Sequence, residues 1–199
     1  MAKNTVLAKA KQNNINLTGG SNNMPKATDF NVGSNIKAAR KLLMTFVDVN
    51  SLSDSETYDW ELVGKGVEES AIELNPSTNS VTDICGITET EVDKWEPSQS
   101  FDPNTVRGGS KLNFLLHQIW QNKEKEKLSQ FNVLIVYAYI NGGEAGSFEA
   151  ELQKGCTINI TSIGGSTNVD MPIEISYSND STSGTVSIAK GVPTFTAAA

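Results

Sequence analysis

The sequence predicts a mainly β protein: a β-sandwich or partly closed β-barrel with one α-helix. Three observations carry this. Val133-Leu134-Ile135-Val136-Tyr137-Ala138-Tyr139-Ile140 is a dense apolar run rich in β-branched and aromatic residues, as in a strand buried on both faces. Residues 171–178 alternate Met171, Ile173, Ile175 and Tyr177 with Pro172, Glu174, Ser176 and Ser178, the period of a half-buried strand. Only Lys111 to about Gln121 carries the spacing of an amphipathic helix. An order of strands, one helix, then more strands favours packed sheets with the helix over an end or edge.

Residues 1–39 are rich in Asn, Lys, Gly, Ser and Ala, with only isolated apolar residues such as Leu7, Ile15, Leu17 and Phe30. Such a composition predicts an N-terminal arm that orders against a partner. Residues 40–190 form the β domain, and 191–199 a short, loose tail. Arg40–Val49 is the first strand, residues 50–56 a Ser/Asp loop, and Tyr58–Val67 the second strand, with Trp60, Leu62 and Gly64 on one face. Gly64-Lys65-Gly66 lacks the third glycine and following helix of a phosphate loop, so it reads as a strand bend or bulge.

Glu69–Leu74 continues the sheet, and Asn75–Asn79 reads as a turn. Val81–Trp95 is a long, weakly hydrophobic strand pair whose Glu89, Glu91 and Asp93 alternate and so share one face. Between Trp95 and Pro103 two prolines remove ladder donors, and the segment reads as irregular. Ser110 is the helix N-cap. Leu112, Leu115, Leu116, Ile119 and Trp120 make the apolar stripe, with Asn113, His117, Gln118 and Gln121 on its polar flank. After the central strand, Asn141–Gly146 is a glycine-rich turn. The chain returns in two segments, Ser147–Leu152 and Thr157–Ile163. The last strand is Thr185–Ile188.

The 199 residues carry a net charge of −7. That argues against tight wrapping of nucleic acid, which needs clustered Lys and Arg to release counterions. Cys85 and Cys156 sit in predicted strands and read as two buried thiols, the alternative being one long-loop disulfide. Neither has metal-ligand spacing. His117 is the only histidine, and no nucleophile elbow or phosphate loop accompanies it, so no catalytic, cofactor or metal residue is assigned and the chain reads as a non-enzyme. Residues 1–23 lack the apolar stretch of a signal peptide, and no apolar run is long enough for a membrane helix.

Lys41-Leu42-Leu43-Met44-Thr45-Phe46-Val47-Asp48-Val49, followed by Trp60-Glu61-Leu62-Val63-Gly64-Lys65-Gly66-Val67, resembles the opening of major tail tube proteins of long-tailed bacteriophages. Glu73-Leu74-Asn75-Pro76, Val81-Thr82-Asp83-Ile84 and Trp95-Glu96-Pro97-Ser98-Gln99 follow in that family's order, as do the single helix and residues 149–158. The resemblance covers residues 40–190 and lies in the order of short motifs. It implies a fold related to the tubes of contractile tails and secretion needles. It also implies a virion protein, assembled in the host bacterial cytoplasm, that stacks as hexameric rings into a hollow tail tube. Implied partners are further copies of itself and tail-tip, tape-measure and terminator proteins. Genome DNA passes through the lumen without tight binding, and an acidic wall suits such passage because it repels phosphate.

Within that picture Glu89, Glu91 and Asp93 are the lumen-facing candidates. Leu7, Ile15, Leu17 and Phe30 of the arm, with Leu52 of the 50–56 loop, are the candidates for contacts between rings. Two other readings stay open: a carbohydrate- or adhesin-type β-sandwich binding module, and the inner tube of a contractile tail or bacteriocin. Trp60, Trp95 and Trp120 fall on a strand, a turn and a helix stripe, which argues against a single aromatic platform.

Overall fold

The computed structural model describes residues 30–53, 57–178 and 180–198. Leu7, Ile15, Leu17 and most of the expected arm lie outside them. Among the described residues the strands are β1 (Leu43–Asp48), β2 (Trp60–Leu62), β3 (Ile72–Glu73), β4 (Pro76–Thr82), β5 (Thr88–Trp95), β6 (Ser98–Phe101), β7 (Phe131–Asn141), β8 (Ser147–Ile160), β9 (Ile173–Ser176), β10 (Ser181–Ala189) and β11 (Val192–Ala197). The one α-helix among the described residues, α1, is Lys111–Asn122. The predicted mainly β class with one helix is what the chain adopts. No described helix is long and apolar enough to cross a membrane.

The sheet is antiparallel and runs β2-β1-β7-β8-β9-β6-β3, with β10 and β11 branching from β8. β8 makes the branch possible. Its first half pairs with β7 on one side and β10 on the other, and its second half pairs with β9. A strand shared in this way lets the sheet curl into a half-barrel, with the bend falling at the bulge where β8 changes partners.

Two apolar clusters lie on opposite faces. Phe46, Leu134, Val136, Ala150, Leu152 and Val186 form one. Val47, Phe131, Val133, Ile135, Cys156, Ile158, Ile173, Ile175 and helix residues Leu112, Leu116 and Ile119 form the other. β7 feeds both, which is why its sequence is continuously apolar. β8 feeds both through a bulge. Phe131 pairs with Cys156 and Val133 with Gln153, so β8 carries one extra residue. Gly155 supplies it in a left-handed conformation, φ 68°, which glycine adopts without steric cost. Ala150 and Leu152 therefore point into one cluster while Cys156 and Ile158 point into the other.

The bulge also explains a difference from the sequence reading. Residues 147–163 are not two strands but one, β8, ending at Ile160 and leaving Ile163 exposed. Other segments differ too. Asn75–Asn79 is not a turn: only Asn75 has a positive φ, and β4 starts at Pro76, where an edge strand tolerates a missing N–H. The 95–103 segment contains β6, since Pro97 and Pro103 flank it instead of interrupting it. The expected second and third strands shrink to β2 and β3, because Gly64 and Gly66 turn the chain at φ 95° and 88°. The expected tail forms β11, paired with β10 from Gly184–Ala197 to Ala189–Val192. Phe195 lies over Gly184, where a Cβ would collide with its ring.

α1 forms as its stripe predicts. Ser110 caps it by accepting from the Asn113 amide at 3.1 Å, and Lys123 ends it in the left-handed region. Two stripe assignments fail: Trp120 is half exposed, and Asn113 is buried. Asn113 accepts from the Asn104 Nδ2 group at 3.1 Å, so it ties the helix to the preceding loop. Cys85 is exposed, not buried, and Cys156 is buried; both are free thiols.

Candidate functional site

Among the described residues the buried polar side chains have structural partners, with one buried atom, Gln153 Oε1, left unpaired. Asp48 accepts from the Asn50 and Asp59 amides at 3.0 and 2.9 Å, and from the Ser51 hydroxyl and Asn132 Nδ2 group at 3.2 Å each. Gln99 Oε1 accepts from Thr45 and Tyr177 hydroxyls at 2.8 and 2.6 Å, which ties β1 to β6 and to the residue that follows β9 across the core. Burial pushes the Tyr177 phenol up, and burial reinforced by the Glu151 carboxylate does the same to Tyr137. Burial also raises the Cys156 thiol. His117 stands exposed on α1 beside Trp120. Among the described residues no three His, Cys, Asp or Glu side chains gather to hold a metal.

The surfaces are more distinctive than the interior. β4 and β5 form a two-stranded ribbon of their own, paired with each other alone among the described residues. Every ribbon residue except Ser77 is exposed. Hydroxyl pairs Ser80–Thr90 and Thr82–Thr88, at 2.8 and 2.9 Å, line one face. The register places Val81, Glu89, Asn79 and Glu91 on the other. Asp83 closes the tip by accepting from the Cys85 and Ile87 amides at 2.8 and 2.9 Å, an Asx turn. The tip presents Ile84, fully exposed, with Ile87 and Val81 beside it.

Of the lumen-facing candidates, Glu89 and Glu91 do share a face. Asp93 does not extend it, because the ladder slips by one residue between Val92 and Lys94. All three stand on the ribbon, away from the main sheet. Phe30 bridges to Ile140 and stacks on Tyr139 at 6.5 Å, remaining half exposed. Leu52 packs partly against the helix-side core.

Sequence reasoning missed two further surfaces. The first is the face of β8, β10 and β11 carrying Glu149, Glu151, Ser183, Thr185, Ser187, Thr194 and Thr196, broad and polar, backed by the apolar cluster beneath. Beyond it β11 has no second partner among the described residues, and neither does β2 at the opposite end. The Ser/Thr alternation of residues 181–187 was the available signal. The second is a groove of about 660 Å³ between α1 and the 163–171 segment. Val106, Phe114, Ile163, Val169 and Met171 make it apolar, and Arg107 and Lys111 stand at its rim with no carboxylate in the lining. No local pattern announces it, since its walls are some fifty residues apart in the chain.

Glu61 of β2 was likewise missed as a helix-capping residue. Its carboxylate accepts from the Lys111 and Leu112 amides at 2.8 and 3.0 Å and from the Ser110 hydroxyl at 2.6 Å, placing negative charge where the helix dipole favours it.

No family model matches the chain, and no curated protein matches it. Among solved structures, it is similar to the cryo-EM structure of the anti-feeding prophage cap, an AFP tube terminating cap, at 12% identity over 81% of this chain and 99% of that one, with a TM-score of 0.41.

Proposed function

We propose that this chain is a structural virion protein that assembles with copies of itself into the hollow tail tube of a long-tailed bacteriophage, as the motif order of residues 40–190 implies. The observation that carries the reading is the curled sheet whose β2 and β11 edges have no second partner among the described residues, with a polar face beside one of them. Unpaired edges offer backbone donors and acceptors to a neighbouring copy. Closing such sheets around a ring, hexameric in the family resembled, gives a continuous barrel, and stacked rings give a tube.

The face with Glu149, Glu151 and its Ser and Thr residues is then favoured as the lumen wall over the ribbon carboxylates Glu89 and Glu91. It is broad and sheet-backed and adjoins the open edge, whereas the ribbon is narrow and projects. A wall of hydroxyls and carboxylates offers DNA few cationic contacts, so the genome slides without sticking. Tail-tip, tape-measure and terminator proteins are the partners such a tube requires. The same surfaces suit the inner tube of a contractile tail or bacteriocin, which differs by a sheath made from another protein.

The test is negative-stain electron microscopy across a concentration series, repeated with a purified tail-tip complex. Hollow tubes of uniform width are expected. Particles that stay single under both conditions overturn the reading, and glycan binding by those single particles would move the binding-module reading ahead.

A further inference from the structure

We infer that the tip of the β4–β5 ribbon seats in the groove between α1 and the 163–171 segment of a second copy of this chain. The inference rests on the self-assembly part of the reading above and not on the tube.

Three features of the ribbon point outward. An isolated two-stranded hairpin is marginal in water, yet the described residues cover neither face of this one. Its tip concentrates Val81, Ile84 and Ile87, three large apolar residues all exposed, in a stretch that is otherwise polar. Seven residues of strand reach about 23 Å at roughly 3.3 Å per residue, far enough to meet a neighbouring molecule.

The groove matches in shape of chemistry. Its floor is Val106, Phe114, Ile163 and Val169, each partly or largely exposed. The charges are opposed as well. Ribbon residues 76–95 carry four carboxylates, Asp83, Glu89, Glu91 and Asp93, against Lys94, which is already paired with Glu96. The groove lining carries Arg107 and Lys111 and no carboxylate. Lys111 pairs with Asp59, whereas Arg107 makes no ion pair among the described residues. On the ribbon, Val81 shares its face with Glu89 and Glu91. A tip lowered into the groove therefore brings its apolar residues onto the floor and its acids toward Arg107. Burying such apolar area is the driving term, and the charges fix orientation.

Cys85 makes the contact directly testable, because it is an exposed thiol at the tip while Cys156 is buried. Val169→Cys places a second thiol in the groove wall. Mild oxidation of the full chain should then give covalent multimers on a non-reducing gel. The multimers should vanish when Cys85→Ser is added, and should not form with Thr194→Cys on β11. A second arm uses charge: Arg107→Glu should abolish the cross-link, and Glu89→Lys with Glu91→Lys should restore it. Val169→Cys cross-linking no more than Thr194→Cys overturns the inference, as does a cross-link confined to single chains. The tube reading fails separately. Tubes without the Val169→Cys cross-link sink only the groove contact, whereas cross-linked multimers that never form tubes sink only the tube.

Discussion

The central pair β7–β8 and the ribbon β4–β5 are both antiparallel ladders with alternating side chains, and they end up in opposite circumstances. β7 lies between β1 and β8, and Val133, Leu134, Ile135 and Val136 are all buried, on two faces. The ribbon has one ladder, two exposed faces and an apolar tip. For the central pair, each fully buried large side chain contributes about 1.5–3 kcal/mol. For the ribbon, hydroxyl pairs and an Asx turn contribute far less each. The difference teaches that alternation in a sequence reports the shape of a strand, and says nothing of whether its partner belongs to the same molecule.

The contrast can be broken most directly at Leu134. Leu134→Ala should cost about 3 kcal/mol, read as a lower urea midpoint with an unchanged slope. A loss under about 1 kcal/mol would mean the double-faced sheet is not the stable half. Alkaline pH probes the same half more gently. Tyr137 and Tyr177 have folded-state values raised above the ordinary phenol range, chiefly by burial. The folded chain thus holds protons that the unfolded chain releases, and stability is intact below about pH 10 and falls as pH rises beyond it. Phenolate absorbance should show these two tyrosines ionising together with unfolding; early ionisation while the fold persists would contradict their burial. The smallest effect belongs to the ribbon. Asp83→Ala should change global stability by less than about 0.5 kcal/mol while speeding hydrogen exchange at the Cys85 and Ile87 amides. A global loss resembling that of Leu134→Ala would make the ribbon part of the same cooperative unit.

Much of the sheet was legible because periodicity is local. The 133–140 run, the 171–177 alternation and the Ser110 cap each contain their own signal, and each formed where expected. β6 was hidden because Gln99, a polar residue, occupies its most buried position. β11 was hidden by Pro193, which an edge strand accommodates. Cys85 looked buried because Ile84 and Ile87 flank it, but those residues form an exposed tip. The candidate surfaces were less legible still. The polar face needs β8, β10 and β11 side by side, and the groove needs residues 106–117 beside 163–171. Both depend on long-range pairing that no window of sequence contains.

The extra residue at Gly155 constrains how the chain can change length. In an unbroken strand, Ala150, Leu152, Cys156 and Ile158 would all face one side; the extra residue sends the last two to the other. Delete Gly155, and Gln153 and Cys156 become two apart, as Val133 and Phe131 are, so the ladder runs regularly and both clusters keep their residues. Flatten the bulge with all its residues kept, and Cys156 and Ile158 would swing to the side that Ala150 and Leu152 already occupy. At this point the strand tolerates the loss of a single residue, so homologues and engineered variants should carry the bulge or lack that one position.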